Sequence, residues 1–187
     1  MTEYDYTALG GSLTGGQAIN WQVIQAPGGL LTGPLDAARN LISSSATFQT
    51  MVSAGDQPTA KLSTFLQIAD ETGEIPYEPP YAIVIPPPGC IGTNILTGPY
   101  NTGPFKIMFV APVPATYADS WNNIVNWFGG IMEGITLDVW NTVGTGAMNQ
   151  LLVRNFVLES DFQRAGFTSG TDYVQCYFRL DFGATQG

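Results

Sequence analysis

Histidine is absent from this sequence, and cysteine occurs only twice, as Cys90 and Cys176. Because there is no histidine, Ser-His-Asp and Cys-His nucleophilic systems and histidine-ligated metal sites are excluded. Two cysteines complete neither a structural zinc site nor a disulfide framework. We expect Cys176, on the apolar side of a strand pattern, to be a buried free thiol. The sequence therefore predicts no catalytic residue, no cofactor and no metal ligand.

Charged residues are scarce as well, since they make up 11 % of the chain against about 25 % in a typical domain. The six basic residues never cluster, whereas binding nucleic-acid phosphates tightly requires grouped Lys and Arg. A net charge of −9 instead suits a passage through which DNA slides without sticking. Low charge also favours a subunit that buries surface in an assembly; a stable secreted domain with a neutral polar surface is the alternative.

Long apolar runs are also missing. No stretch approaches the ~18 apolar residues that a membrane-spanning helix needs, and the first residues lack the basic and apolar regions of a secretory signal. We therefore expect a protein that is made in a cytoplasm and has no membrane partner. The apolar fraction of 44 % is nevertheless enough, in 187 residues, for a substantial core.

The clearest pattern lies in residues 151–182. From Asp172 onward apolar and polar residues alternate, which is the period of a strand with one face on a core and the other in water. Residues 151–161 are rich in Leu, Val and Phe, and 163–171 are turn-forming residues. We therefore predict a long C-terminal antiparallel β-hairpin. Its apolar positions are Val174, Cys176, Phe178, Leu180 and Phe182, and its polar positions are Tyr173, Gln175, Tyr177, Arg179 and Asp181.

Two helices are predicted ahead of the strands. Apolar residues at spacings of three and four run from Leu35 to Val52, with a weak point at the serines 43–45. Asp56 is expected to cap the second helix. The apolar stripe predicted for that second helix consists of Leu62, Phe65, Leu66 and Ala69.

The middle of the chain predicts two strands and a third helix. Residues 81–85 form a short apolar run between prolines, which cannot donate to a strand ladder and so bound the strand. A long connection without periodicity, 90–103, leads to a second strand at 105–110. A helix then begins at Thr116 or Asp119. Its predicted apolar face consists of Trp121, Ile124, Val125, Phe128, Ile131, Met132 and Ile135.

This order of elements predicts an α+β fold, in which helices pack on one face of an antiparallel sheet. We assign residues 34–187 to that domain and residues 1–33 to an extended Gly-rich arm. Glycine increases the entropy lost on ordering, so the arm is expected to order against a neighbouring subunit. Trp21 and Ile24, in the strand-like run 18–24, are its expected anchors; a solvent-exposed tail is the alternative.

Acidic and aromatic residues leave one other function open. Glu159 and Asp161 form one pair of carboxylates, and Asp70, Glu71, Glu74 and Glu78 form another group. Neither has the spacing of a calcium loop, so both are predicted to be solvated. Tyr173 and Tyr177 suit a subunit interface or stacking on sugars. A carbohydrate-binding or carbohydrate-hydrolysing module is therefore an alternative.

Three places in residues 34–183 resemble the tail terminator, or tail-completion, proteins of tailed bacteriophages. They are the proline-bounded strand at 79–85 after an opening helix, the strand 105–110 followed by the tryptophan-bearing helix 117–132, and the aromatic closing strand 173–182. The resemblance implies a small α+β domain without catalytic activity that assembles as a hexameric ring. Such a ring caps the tail tube, joins it to the neck and leaves a passage for DNA.

The Gly-rich arm and the 90–103 connection depart from that family pattern. A tail tube subunit, another neck or collar protein and a trimeric fibre domain therefore remain alternatives. The implied partners are further copies of the chain, the tail tube protein, neck or connector proteins and DNA in transit; the implied location is the virion, assembled in the host cytoplasm. The candidate contact residues are Trp21, Ile24, Arg164, Phe167, Tyr173, Tyr177 and Arg179.

Overall fold

The computed structural model describes residues 32–66, 78–86, 91–94, 98–101, 104–144, 151–166 and 172–184. The helices are α1 (Thr32–Ser43), α2 (Ala46–Met51), α3 (Gln57–Lys61) and α4 (Trp121–Gly144). The strands are β1 (Thr64–Leu66), β2 (Tyr81–Ile85), β3 (Ile91–Asn94), β4 (Gly98–Asn101), β5 (Phe105–Pro112), β6 (Leu151–Leu158), β7 (Gln163–Gly166) and β8 (Asp172–Ala184).

Six of these strands form one sheet in the order β1-β2-β5-β8-β6, and β7 also pairs with β8. All pairs in it are antiparallel except β1 with β2, which is parallel. The predicted α+β fold is thus confirmed, with one parallel pair at the edge of a mostly antiparallel sheet. The predicted hairpin is present as β6 beside β8, with Phe156 opposite Leu180.

The two faces of the sheet are covered differently. On the first face, α1, α2 and α4 pack over alternate residues of β2, β5 and β8, and this main core includes Val174, Cys176, Phe178 and Leu180 of the predicted apolar parity. On the second face, the buried residues Tyr81, Ile83, Met108 and Val110 all come from strands and form a separate cluster. The described helices therefore contribute to the core on one face, as predicted. The side chain of Phe182 lies outside the described part.

The prediction of a turn at 163–171 is wrong for its first half. Gln163–Gly166 forms β7, which pairs with the beginning of β8. The polar residues of β7 have partners on β8. Arg164 forms an ion pair with Asp172, and the side-chain amide of Gln175 donates to the side-chain oxygen of Gln163 at 3.1 Å. A polar composition that favours turns is therefore compatible with a strand here. Residues 167–171 lie outside the described part.

The predicted opening helix is two helices, α1 and α2, separated at Ser44 and Ser45. The Ser44 hydroxyl donates back to the Leu41 carbonyl at 2.8 Å, and the Ser45 hydroxyl accepts from the Phe48 amide at 3.0 Å. Ser45 is therefore the N-cap of α2. The serines end one helix and begin another, where the prediction had only a weak point.

The predicted second helix begins as expected but is much shorter. Asp56 caps α3 by accepting from the Thr59 amide at 2.8 Å. Beyond Lys61, however, the chain enters β1, so the predicted helical stripe of Leu62, Phe65 and Leu66 is wrong; Ala69 lies outside the described part. The cause is tertiary: the buried Arg39 side chain donates to the Thr64 carbonyl at 3.0 Å and fixes this segment beside β2.

The long connection at 90–103 also contains more structure than predicted. β3 and β4 form a two-stranded antiparallel sheet, with Asn94 opposite Gly98. The segment shows no alternation of apolar and polar residues, because its strands are rich in Gly, Asn and Pro. Periodicity alone therefore could not identify it.

Helix α4 begins at Trp121, after the predicted starts at Thr116 and Asp119. The Ser120 hydroxyl accepts from the Asn123 amide at 3.2 Å and so caps the first turn. The predicted apolar face is largely confirmed, since Ile124, Phe128, Met132 and Ile135 are buried. Val125 and Ile131 are half-buried, whereas Trp121 is exposed, so its predicted place on that face is wrong.

Residues 1–31 lie outside the described part, and with them Trp21 and Ile24. Thr32 and Gly33, which we assigned to the arm, are the first residues of α1. Among the described helices, none is long and apolar enough to cross a membrane.

Candidate subunit interface

Two of the predicted contact residues, Tyr173 and Tyr177, lie on the second face of the sheet. Both are half-buried and pack against the cluster around Tyr81 and Met108. Burial, with smaller contributions from the two neighbouring tyrosines, raises the pKa of Tyr81 to about 12. The tyrosine rings are therefore part of a packed layer, with only part of each ring exposed.

Arg179 lies on the same face, among charged residues contributed by neighbouring strands. It stands opposite Lys106 of β5, and its Nε is 3.2 Å from Oδ1 of Asp181. The other oxygen of Asp181 accepts from the Asn155 amide at 3.1 Å. Lys106 Nζ lies 3.6 Å from Oε2 of Glu159. Two cations and two carboxylates thus balance each other locally, which leaves no concentrated charge for binding an ion.

Arg164 stands apart from those three residues. In β7 it is opposite Val174, on the face of the sheet where the helices pack. Its ion pair with Asp172 holds the pKa of that carboxyl below its usual range. The structure therefore places Tyr173, Tyr177 and Arg179 on one face of β8 and Arg164 on the other. Phe167, Trp21 and Ile24 lie outside the described part.

The most exposed large apolar side chains among the described residues are on α4, where none was predicted as a contact. Trp140 is 76 % exposed and Leu137 is 56 % exposed. The two residues are three apart, so they lie on the same side of the helix. The helical spacing puts them on a different side of α4 from the buried residues Ile124, Phe128 and Ile135. This difference in position around the helix is the sequence feature that could have marked them as exposed.

A second uncovered surface is the outer edge of β6. Its inner edge pairs with β8, and no described strand pairs with its outer edge. Val157, near the end of the strand, is 45 % exposed, and Leu158 is similarly exposed. The ladder is irregular between Val153 and Asn155, next to Arg154. An open edge of this kind presents unpaired backbone N–H and C=O groups that can receive another strand.

A groove of about 660 Å³ lies between α2, α4 and the end of β5. None of its lining residues is ionisable, so the groove can hold an apolar group but offers no acid or base for catalysis. The lining consists of Ala46, Thr47, Thr50, Met51, Ser53, Pro80, Ala111, Pro112, Pro114, Trp127 and Ile131.

The acidic residues form no metal site in the described part of the chain, where no group of three or more Asp, Glu or Cys residues comes together. Asp161 is exposed, as predicted. Glu159 faces Lys106. Glu78 is exposed, and Asp70, Glu71 and Glu74 lie outside the described part.

No model of a known protein family matches the chain, and no curated protein sequence matches it either.

Proposed function

We propose that the protein is a structural subunit of a virus particle, which assembles into a ring that terminates a phage tail tube and joins it to the neck. The observation that carries the proposal is the pair of uncovered apolar side chains on α4, Trp140 and Leu137. Exposed apolar residues that cluster on one surface are typical of interfaces. The low fraction of charged residues, 11 %, also supports a subunit that buries surface in an assembly.

The free energy gained by burying these two side chains is large enough to support association. Fully burying one large apolar side chain stabilises a contact by about 2 kcal/mol, which corresponds to roughly a thirtyfold change in an association constant. Tryptophan is also among the residues that most often dominate binding energy at interfaces.

Two different surfaces suit a ring better than a two-fold dimer. The outer side of α4 and the open edge of β6 are distinct, and contacts between unlike surfaces close into rings when the rotation between subunits allows it. A ring of acidic subunits would let DNA pass without specific binding, because the lumen would repel the phosphates. Six copies is the number implied by the resemblance to tail terminators.

The experiment measures the mass of the assembled particle by light scattering and its shape by electron microscopy, alone and with tail tubes of the same virus. We expect a closed ring, formed either alone or at tube ends. Trp140→Asp should reduce assembly, whereas Asn126→Asp, which adds the same charge to an exposed polar position on α4, should not. Binding along the whole tube would instead indicate a tube subunit. A monomer that binds glycans and ignores tubes would contradict the proposal.

A further inference from the structure

We propose that the arm segment 18–24 of one subunit adds as a strand to the outer edge of β6 in the neighbouring copy. This inference rests on the proposed ring and identifies the contact that links its subunits. It joins the open edge of β6 to a segment whose sequence pattern fits that edge.

The edge is suited to receive a strand. β6 spans eight residues, Leu151–Leu158, and no described strand pairs with its outer side. Edge strands that avoid pairing commonly carry lysine or proline, and β6 has neither. Its only charged residue is Arg154, beside the irregular position in the ladder. Exposed Val157 and Leu158 lie on opposite faces of the strand, so each face has an apolar side chain beside the open edge.

The arm segment has the matching pattern. No residue between Asp5 and Asp36 is charged, so pairing with an apolar edge requires no ion to leave water. In the run 18–24, Ile19, Trp21 and Val23 share one parity, and the other consists of Ala18, Asn20, Gln22 and Ile24. In an added strand, Ile19, Trp21 and Val23 would lie on the same face of the sheet as Phe156 and Leu158 of β6. Residues of the other parity would lie on the face that carries Asn155 and Val157.

The connecting chain is long enough to reach a neighbour. Seven residues separate Ile24 from Thr32, where α1 begins, and the eight Cα–Cα steps between these two residues span up to about 26–29 Å when extended. That reach exceeds the radius of gyration of about 15 Å expected for a domain of this size. A subunit in contact with its neighbour can therefore place the run 18–24 on the neighbour's edge. Backbone hydrogen bonds would then supply affinity and alternate side chains specificity.

The test uses the full chain with the photoreactive residue p-benzoylphenylalanine in place of Val157. Unlabelled and ¹⁵N-labelled preparations are mixed, dissociated, reassembled and irradiated, and cross-linked peptides are identified by mass spectrometry. We expect hybrid pairs that join position 157 of one isotope to segment 18–24 of the other. Pairs of a single isotope with no hybrid pairs beside them would overturn the inference, because the arm would then lie on its own subunit. Rings without links to the arm would overturn it while leaving the proposed ring intact. A failure of the unmodified chain to form rings, both alone and on tail tubes, would refute the ring itself.

Paired variants provide an independent test. Asn20→Pro and Trp21→Pro each remove one backbone donor from the run. Successive N–H groups point to opposite edges of a strand, so one of these two donors faces β6. Val157→Lys places a charge on the edge. The proline variant whose donor faces β6, and Val157→Lys, should each raise the concentration needed for half-assembly by roughly tenfold or more. The controls Gly29→Pro and Leu62→Lys, the latter at another exposed aliphatic residue, should assemble as the unmodified chain does. Equal thermal unfolding of all five establishes that the folds are intact. Normal assembly of Asn20→Pro, Trp21→Pro and Val157→Lys would overturn the proposal.

Discussion

Gly134 of α4 provides the sharpest test of the packing between helices. A Cβ atom at this position would lie 2.8 Å from Oγ1 and 2.9 Å from Cγ2 of Thr47 in α2. Rotating the threonine does not relieve the contact, because both branches are close and its own Cβ is only 3.3 Å away. The helices must therefore separate if Gly134 becomes alanine.

Two opposing effects determine the stability of Gly134→Ala. Alanine in place of glycine inside a helix stabilises by about 1 kcal/mol, whereas forcing an extra carbon into a filled space costs about 1–3 kcal/mol. Separation is resisted here, because one turn further along α4 the Asp138 carboxylate accepts from the Thr47 amide at 2.9 Å. We therefore expect a net loss of about 1 kcal/mol in the free energy of unfolding, which is the difference between mid-range values of the two effects.

The measurement is urea unfolding of Gly134→Ala beside Gly130→Ala. A Cβ at Gly130 has no atom within 4 Å, so this control should gain up to about 1 kcal/mol. The double variant Thr47→Ala/Gly134→Ala removes the two nearest atoms and should be less destabilised than the two single changes predict together. If Gly134→Ala is as stable as Gly130→Ala, the close approach of α2 to α4 is refuted.

Three further predictions concern polar groups in the packed regions of the fold. Asp138→Ala should cost about 1–3 kcal/mol at neutral pH. Burial raises the pKa of Asp138, but hydrogen bonds from Thr47 and Ser45 outweigh that effect and lower the pKa overall. The difference in unfolding free energy between the unmodified protein and Asp138→Ala should therefore be full above about pH 4 and shrink as the pH falls through the lowered pKa. A difference that does not depend on pH would contradict this. Arg39→Met should cost about 2–4 kcal/mol in urea unfolding, because it removes hydrogen bonds to Thr64 and Lys61; an unchanged midpoint would refute that role. Burial raises the pKa of Cys176 to about 12, so in a Cys90→Ser background a thiol reagent should label it only as fast as the protein unfolds, and rapid labelling of the folded protein would show that it is accessible.

The elements that could be predicted are those whose periodicity agrees with their tertiary surroundings. β2, β5 and β8 carry apolar residues where the main core lies, and α4 has its apolar stripe against the sheet. The break between α1 and α2 could not be predicted, because Ser45 donates to Asp138, 93 residues away, at 2.7 Å. β1 was missed for a similar reason, since Thr64 is held by Arg39.

The predicted contact face on β8 differs from expectation because of strand order. A closing hairpin suggested that Tyr173 and Tyr177 face water, but β8 lies between β5 and β6, and the neighbouring Met108 and Val110 make that face a packed layer. Strand order depends on pairing between distant segments, which periodicity does not reveal. Trp140 was missed because it lies beyond Ile135, the last residue of the apolar face predicted for α4. Whether the tyrosines also contact another subunit stays a prediction.

The buried Arg39 has a mechanical consequence. A pull on the arm enters the described fold at Thr32, the first residue of α1. Arg39, two turns further on, is bonded to Thr64 and to the Lys61 carbonyl. Tension would therefore pass from α1 into β1 and, through its ladder, into β2. Because the helix cannot be drawn away without breaking these bonds, the load would be spread over the sheet instead of falling on α1 alone.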